Sequence, residues 1–264
     1  MPIVTLLSDI GTTDHYVATV KGYLYSVFPQ VTIVDVSHNI SRDNIMQGAF
    51  LLKNTFPHFP DGTIHLISVC APMSFDFPYV AYKVNNQYFI GTDNGLFSLA
   101  FENFEVQGVV SLDSILNPGN MQSTFQLRDI FAPAALHLLK GKALTDLGQP
   151  RLNPTVQLNF APGITGNMLT GNVIYNDHFG NAITNFSKDF LLKNINGRNF
   201  VIEMRSRTYN ISKFSMAYNS VSPGDIVALF NSSSYLEIAM NQGSVLDMLG
   251  LKAGDVVKIL IDND

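Results

Sequence analysis

The sequence predicts a fold of two parts: an α/β domain with a mostly parallel sheet and helices on both faces, then a smaller all-β, barrel-like domain. In the first half, short apolar runs rich in β-branched residues alternate with segments of helical spacing, which is the pattern of βαβ units. In the second half, strand-like runs follow one another with little helical spacing. Prolines at 150, 154 and 162 mark a boundary. We therefore expect domains over 1–150 and 166–264, with a linker over 151–165.

Local apolar spacing defines the elements of the first domain. Ile3–Leu7 is a β-branched run between Pro2 and Gly11, which is typical of a buried strand. Apolar residues then recur at helical spacing from Asp14 to Phe28, with Thr12 or Thr13 available as the N-cap. By the same criteria we predict strands at Val31–Val36 and Thr63–Val69, a hairpin of Tyr79–Val84 and Gln87–Gly91 joined at Asn85-Asn86, a helix from Ile45 to near Pro57, and a helix over Asp129–Leu139.

The second domain is predicted to consist almost entirely of short strands. One short helix, Val245–Leu249, interrupts them. The predicted strands are Met168–Tyr175, Phe200–Met204, Ile226–Phe230, Tyr235–Ala239 and Val256–Ile261.

Composition narrows the class of protein. The 264 residues are 46% hydrophobic and carry a net charge of −5 without any run of Lys or Arg, so we expect no nucleic-acid partner. The single cysteine, Cys70, excludes an internal disulfide and a cysteine zinc site. No apolar run approaches the roughly 20 residues of a membrane span, and the N-terminus has no basic region before its apolar stretch. The expectation is a cytoplasmic protein with no membrane partner and no metal.

The first strand is followed by SDIGTTDHY, which sets two carboxylates around a Gly-Thr-Thr turn. Ligands of open parallel sheets bind beyond the carboxyl ends of the strands, where Asp9 is expected, and a carboxylate there can accept both hydroxyls of a ribose. Asp14 either meets an amino group or only complements the dipole of the following helix. G-x-G-x-x-G is absent, which argues against a Rossmann phosphate loop.

Two stretches of the second half also carry candidate ligand groups. In NDHFGNAITNF, Phe179 offers a stacking surface and the Asn181 amide can both donate and accept hydrogen bonds, although such a turn is equally typical of a plain β-hairpin. In NSSSYLEIAMNQGS, hydroxyls and backbone N–H groups suit a carboxylate or a purine edge, but a generic loop has the same composition.

Taken together, the motifs resemble one family. SDIGTTD, VDVSHNI, GTDNGLF, STFQLRDIFAP, DHFGNAITN and NSSSYLEIAMNQGS occur in the order found in the S-adenosylmethionine (SAM) hydroxide adenosyltransferases, relatives of fluorinases and chlorinases. The resemblance runs from Ile3 to about Val257. It implies an α/β domain, a C-terminal β-barrel and a homotrimer whose ligand sites lie between neighbouring subunits. SAM, adenosine and L-methionine are the implied ligands, with no further cofactor.

The resemblance also implies roles for individual residues. Asp9 would bind the ribose hydroxyls and Phe125 would line the ribose. Phe179 would stack on adenine and Asn181 would hydrogen-bond to it. The methionine part would contact Asp14 through its amino group, Ser232 through its carboxylate, and Asp177.

The Asp-Arg-His triad with which the family's hydrolases activate water has no counterpart in the sequence. Cys70 stands in place of the aspartate, Phe77 or Pro78 in place of the arginine, and Gln126 in place of the histidine. Asp76 is a possible substitute for the carboxylate. Cys70 as nucleophile and His38 as base are weaker alternatives, because a lone cysteine at a strand end usually fills a core and a lone histidine is more often a hydrogen-bonded structural residue.

The resemblance and the missing triad together imply a SAM-binding protein that is nominally a hydrolase, giving adenosine and L-methionine slowly or by an altered route. The alternatives are a non-catalytic SAM or adenosine sensor, and a trimer that keeps a relic pocket. Halogenation is not expected, because Leu127 stands where the halogenases have a small hydroxyl residue and a leucine cannot replace a halide's water shell.

Overall fold

The computed structural model describes residues 1–71, 77–116, 123–158, 161–204 and 209–262, so Asp76 lies outside the described residues. The chain forms two compact units, Met1–Leu158 and Asn159–Asp264. In the described parts, no helix is long and apolar enough to cross a membrane.

The first unit is built on a six-stranded sheet in the order β2-β1-β3-β5-β4-β6. Strands β2, β1, β3 and β5 are parallel, whereas β4 is antiparallel to both β5 and β6, so the sheet is mixed. The strands are β1 Ile3–Ser8, β2 Thr32–Ser37, β3 Ile64–Ser68, β4 Tyr79–Val84, β5 Gln87–Thr92 and β6 Val106–Ser111. The α-helices are α1 Tyr16–Val27, α2 Ile45–Thr55, α3 Leu96–Ala100 and α4 Ala132–Leu139. Short helical turns cover Phe56–His58, Leu127–Phe131 and Leu144–Leu147.

Helices cover both faces of this sheet, as predicted. Neighbouring residues of β1 point to opposite sides, because side chains alternate along a strand. Leu6 packs with α1 and α4 in one cluster of buried side chains, and Leu7 packs with α2 and α3 in another. Both faces are therefore buried, and the strands are correspondingly apolar.

The hairpin of β4 and β5 is confirmed. Asn85 and Asn86 both have left-handed backbone angles, with φ of 49° and 57°. Two successive left-handed residues form the type I′ turn, whose twist matches the twist of the flanking strands. Strand β6 and helix α3, in contrast, were not predicted from the sequence.

Strand β6 forms one edge of the sheet, and a short segment of chain covers it. The Ser111 N–H donates to the Gln149 carbonyl at 2.9 Å, and the Arg151 N–H donates to the Val109 carbonyl at 2.9 Å. Between these bonds, Val110 pairs with Pro150. Residues 149–151 therefore occupy the hydrogen-bonding groups of β6 that point away from the sheet.

The chain beyond this point remains attached to the first unit through Asp93. Its buried carboxylate accepts from Arg151 Nε at 3.0 Å and from the Thr155 N–H at 3.0 and 3.1 Å. The Gln157 N–H donates to Ser98 Oγ at 2.9 Å. Residues 151–158, which fall in the expected linker, are thus part of the first unit.

The second unit is an antiparallel sheet in the order β10-β13-β8-β9-β12-β11, with β7 added on β8. Its strands are β7 Gly163–Thr165, β8 Met168–Asn176, β9 Ala182–Ser187, β10 Phe200–Glu203, β11 Ile226–Phe230, β12 Tyr235–Met240 and β13 Val256–Ile261. Its helices are α5 Lys188–Ile195 and α6 Val245–Leu249, with a helical turn at Tyr218–Ser220.

The expectation that this unit is all-β apart from one short helix is wrong. The helix α5 begins at Ser187, whose hydroxyl accepts from the Phe190 N–H, and ends at Asn196, which is left-handed with φ of 49°. These are ordinary capping signals, and the buried Leu191 and Ile195 side chains pack the eight-residue helix onto the core of the unit.

Candidate functional site

The Asp9 carboxylate lies at the carboxyl edge of the first unit's sheet and connects three chain segments. Its Oδ2 accepts from the Cys70 N–H at 3.1 Å and from the Asp43 N–H at 3.2 Å. The Asp9 N–H donates to the Ser68 carbonyl at 3.2 Å. Both bonds to the carboxylate use Oδ2, so the geometry leaves Oδ1 to accept from a bound hydroxyl.

Cys70 is packed between two carboxylates. Burial raises the pKa of the Cys70 thiol, and the nearby Asp43 and Asp9 carboxylates raise it further, since the thiol hydrogen-bonds to Asp43. Both Cys70 and Asp43 are left-handed, with φ of 47° and 59°. A thiol in this setting stays protonated at neutral pH, which argues against the nucleophile alternative.

Asp43 was not singled out from the sequence. It belongs to no motif there, and tertiary contacts connect it with the site: its N–H donates to Asp9 Oδ2, and its carboxylate faces the Cys70 thiol. The neighbouring Asn44 is the N-cap of α2, with its side chain accepting from the Gln47 N–H, so Asp43 occupies the tight turn just before a helix.

His38 is buried beneath the Asp9 turn. Its Nδ1 lies 2.7 Å from Ser8 Oγ, and its carbonyl accepts from the Gly11 N–H at 2.7 Å. Its Nε2 lies 3.2 Å from an Asp35 carboxylate oxygen, and Lys21 also contacts that carboxylate. Burial raises the pKa of Asp35, but Lys21 and His38 outweigh that effect and hold it below its usual value.

Asp14 and Phe125 flank the start of α1. Asp14 is exposed in the turn before the helix, and the N-cap residue is His15, so the expectation of a Thr12 or Thr13 cap is wrong. The Tyr16 ring meets the Phe125 ring edge-on at 5.1 Å between centroids. The Arg128 guanidinium lies 5.2 Å from the centre of the Phe125 ring on a half-buried surface.

Two residues at the expected triad positions are described, in addition to Cys70. The Gln126 amide donates to the Ser123 carbonyl at 3.0 Å, and Phe77 is partly exposed. Arg128 pairs with Asp129, which raises the pKa of Arg128 and lowers that of Asp129. Neither side chain of this pair is therefore arranged as a general base.

In the second unit, the turn between β8 and β9 is organised by Asp177. One carboxylate oxygen accepts from the N–H groups of Phe179 and Asn181 at 3.0 and 2.9 Å, and the other accepts from Asn181 Nδ2 at 3.0 Å. Gly180 has φ of +77°, and a Cβ there would lie 2.1 Å from Ser244 Oγ, so only glycine fits. This packing leaves the Phe179 side chain 72% exposed.

Phe179 and Asn181 line a cavity of about 380 Å³ together with side chains from other segments of the second unit. The remaining lining residues are Tyr218, Met240, Gln242 and Gly243. With its amide nitrogen held by Asp177, Asn181 presents its Oδ1 as an acceptor. Aromatic rings beside a fixed amide oxygen suit a planar ring that carries an amino group.

The hydroxyl of Tyr218 donates to the buried Glu237 carboxylate at 2.8 Å. Burial raises the pKa of Glu237, with a further contribution from Asp177, and burial and Glu237 together raise the pKa of Tyr218 to about 12. Asn231 also hydrogen-bonds to Glu237, which connects the pocket with the 231–234 loop. Ser232 is exposed on that loop, whose turn Asn231 Oδ1 closes by accepting from the N–H groups of Ser233 and Tyr235.

The structure brings five of the predicted residues together at two places, one in each unit. Asp9 and Cys70 lie together in the first unit, and Asp177, Phe179 and Asn181 lie together in the second.

Three further residues at or beside the cavity of the second unit, Tyr218, Glu237 and Gln242, were not predicted from the sequence. Glu237 had a usable signal, because it is the one charged residue within the apolar strand YLEIAM. Among the described residues, no three His, Cys, Asp or Glu side chains are grouped so as to hold a metal.

Comparison with known proteins gives matches along almost the whole chain. Residues 4–148 match the model of the SAM hydroxide adenosyltransferase N-terminal domain, and residues 171–258 match that of the C-terminal domain. A curated (R)-S-adenosyl-L-methionine hydrolase of Thermus thermophilus is 31% identical over 97% of this chain and 99% of its own length. A fluorinase of an Actinoplanes species is 26% identical over 98% of this chain and 97% of its own length.

Two solved structures are similar in fold. An uncharacterized conserved protein from Thermotoga maritima has a TM-score of 0.88 at 27% identity, covering 97% of this chain and 99% of that one. A conserved hypothetical protein from Thermus thermophilus has a TM-score of 0.75 at 30% identity, covering 98% of this chain and 100% of that one.

Proposed function

Because the chain belongs to the SAM hydroxide adenosyltransferase family, we propose that it binds S-adenosyl-L-methionine and adenosine. The observation that carries the proposal is the pocket of the second unit, where Phe179 and Tyr218 stand beside the fixed Asn181 amide. Adenine stacks on the Phe179 ring, and its amino group donates to Asn181 Oδ1.

The remaining ligand groups are assigned to the other predicted residues. Asp9 Oδ1 accepts hydrogen bonds from the ribose hydroxyls, and the Phe125 ring lines the part of the site that holds the ribose. For methionine, Asp14 and Asp177 favour the ammonium group because both are carboxylates, and the Ser232 hydroxyl donates to the carboxylate. The proposed assembly is a cytoplasmic homotrimer with the ligand at the interface of neighbouring subunits, and with no cofactor besides SAM.

The reaction open to such a complex is displacement at the ribose 5′ carbon. A water oxygen forms a bond to C5′, the C5′–sulfur bond breaks with its electron pair going to sulfur, and the water proton passes to solvent or a base. The products are adenosine and L-methionine. The sulfonium is a good leaving group, so activating the water is the demanding step; losing a general base typically costs about 10²–10⁴-fold in rate.

Turnover is therefore slow in this proposal, because Cys70 and Gln126 already have partners within the protein. The same observation favours a second candidate, a SAM or adenosine sensor that binds without chemistry. Asp76 stays a possible substitute base. Halogenation is not proposed, since the buried Leu127 side chain offers no donor to a halide.

Calorimetry with SAM and with adenosine tests the binding. Phe179→Ala should weaken the affinity about tenfold or more, because base stacking on an aromatic ring contributes about 1–3 kcal/mol. Tyr25→Ala removes an aromatic ring of α1 that lies outside the pocket lining, and serves as the matched control with unchanged affinity. If neither ligand binds the wild type at millimolar concentration, the proposal fails.

Chromatography of the same SAM incubations separates the two candidates. Release of adenosine and L-methionine in equal amounts identifies a hydrolase, and binding without either product identifies a sensor. Turnover as fast as that of a triad-bearing relative would contradict the argument from Cys70 and Gln126.

A further inference from the structure

Two buried histidines of the first unit make the same contact with β1 at different places. His65 on β3 has its Nδ1 2.7 Å from Thr5 Oγ1, and His38 has its Nδ1 2.7 Å from Ser8 Oγ. Both residues are almost fully buried, with 1% and 4% of their surface exposed. They form a natural comparison, because one lies within the sheet and the other at the edge that carries Asp9.

The His65 ring is bonded on both sides, whereas the His38 ring is not. His65 Nε2 lies 2.7 Å from Gln87 Oε1. His38 Nε2 approaches Asp35 to 3.2 Å but makes no aligned hydrogen bond in the described structure. A carboxylate only accepts, so Nε2 faces Asp35 as the donor atom of the ring, and in that tautomer Nδ1 accepts from the Ser8 hydroxyl.

The position of His38 follows from an irregularity between β1 and β2. Leu6 pairs with Asp35 but Leu7 pairs with Ser37, so one residue of β2 is skipped. A bulge of this kind re-aims the residues that follow it. It brings His38 level with Ser8, the residue before Asp9, while the His38 carbonyl holds Gly11, two residues after Asp9.

We propose that His38 is a positioning residue, which fixes the Asp9 carboxylate for its ligand by holding the chain on both sides of it. The ring acts through Ser8 and the carbonyl through Gly11. The proposal rests on the proposed function insofar as Asp9 contacts the ligand, and it adds a residue to that site which touches no substrate itself. A merely structural His38 would instead support the fold as His65 does.

The first readout is the affinity for adenosine. His38→Leu and Ser8→Ala remove the bond between ring and hydroxyl, and each should weaken binding about tenfold. His38→Asn keeps an acceptor at the place of Nδ1 and should restore affinity to within about threefold of wild type. His65→Leu is the matched control, since it removes equivalent buried bonds but should leave the affinity unchanged.

The second readout needs no ligand and uses Cys70, the single cysteine. Its N–H is bonded to Asp9 and its thiol is close to Asp43 and Asp9, so its rate of reaction with a thiol reagent such as DTNB reports on that geometry. The rate should rise several-fold in His38→Leu and Ser8→Ala. It should stay at the wild-type value in His38→Asn and His65→Leu.

The two readouts separate the possible failures. Equal effects of His38→Leu and His65→Leu on either readout, or no effect of Ser8→Ala and His38→Leu, would overturn the positioning role. If the wild type binds no ligand, the proposed function fails, and the thiol rates still decide whether His38 positions Asp9. Ser8→Ala keeps the test valid should His38→Leu not fold.

Discussion

Cys70 takes its chemical character from residues that are distant in sequence. It is bonded through its N–H to Asp9 and through its thiol to Asp43, and both carboxylates oppose formation of a thiolate. Burial of the thiol raises its pKa most, and the two carboxylates add to that effect. At this position, where the family resemblance implies an acid, the chain has a thiol that is held in its neutral form.

We predict that Asp43→Asn makes Cys70 more reactive. Removing one carboxylate lowers the thiol pKa, so at pH 8 a larger fraction is thiolate and reaction with DTNB becomes faster by several-fold. Asp61→Asn, which changes an exposed carboxylate bonded to Asn86, is the control and should leave the rate unaltered. A rate that does not differ between wild type and Asp43→Asn would show that Asp43 does not influence the thiol.

The candidate ligand residues that could be proposed from the sequence were those inside short motifs. Asp9, Phe179 and Asn181 stand in turns that follow strands, where the residue types themselves indicate a ligand. Tyr218 and Asp43 could not be found this way. Each acquires its role only through a long-range contact, Tyr218 with a glutamate on β12 and Asp43 with Asp9 after β1.

Strand β3 contributes a pH dependence to the stability of the first unit through His65. Burial lowers the pKa of His65 to about 4, although its bond to Gln87 acts in the opposite direction. In the unfolded chain a histidine has a pKa of about 6.5. Below that value the unfolded state takes up a proton that the folded state resists, so this contribution to stability is lost as the pH falls from about 6.5 towards 4.

We predict that acid destabilises the wild type more than it destabilises His65→Asn. The His65 contribution amounts to about 2–3 kcal/mol of the free energy of unfolding between pH 7 and pH 4.5. Urea unfolding gives the free energy that each protein loses between the two pH values. The difference between these two losses is the His65 contribution, because the carboxylates that both proteins share contribute equally to each loss. If both proteins lose the same free energy, His65 titrates normally and is not buried as described.

The elements that the sequence predicted well have strong local signals. Asn85-Asn86 specifies its hairpin because both residues tolerate left-handed backbone angles. Strand Ile3–Ser8 is apolar except at Thr5 and Ser8. The elements that were not predicted have weak local sequence signals. Strand β6 contains Gly108 and begins with exposed side chains, and α5 is short with only two buried residues. Tertiary pairing determines such elements, and it cannot be deduced from a window of sequence.

At the scale of the whole molecule, we predict a homotrimer in solution, the assembly that the family resemblance implies. In the first unit, Leu152, Val156 and Leu158 are 86%, 72% and 79% exposed, which is unusual for apolar side chains that stand so close together in sequence. Assembly that covers such side chains is favourable because it removes apolar area from water. Sedimentation equilibrium should give three times the 29.1 kDa of one chain. The mass of a single chain at micromolar concentration would contradict the prediction.

The covered edge at β6 also has a consequence for aggregation. An open edge strand can add a strand from another molecule, which is the first step towards fibrils. At β6 the place of such a strand is taken by residues 149–151, and Pro150 in their midst has no N–H with which to extend the pairing outward. Only β2 remains as an edge of this sheet in the described structure, and it carries the Asp35 charge. Partial unfolding that releases residues 149–151 would therefore create a second open edge, and with it a greater tendency to form fibrils.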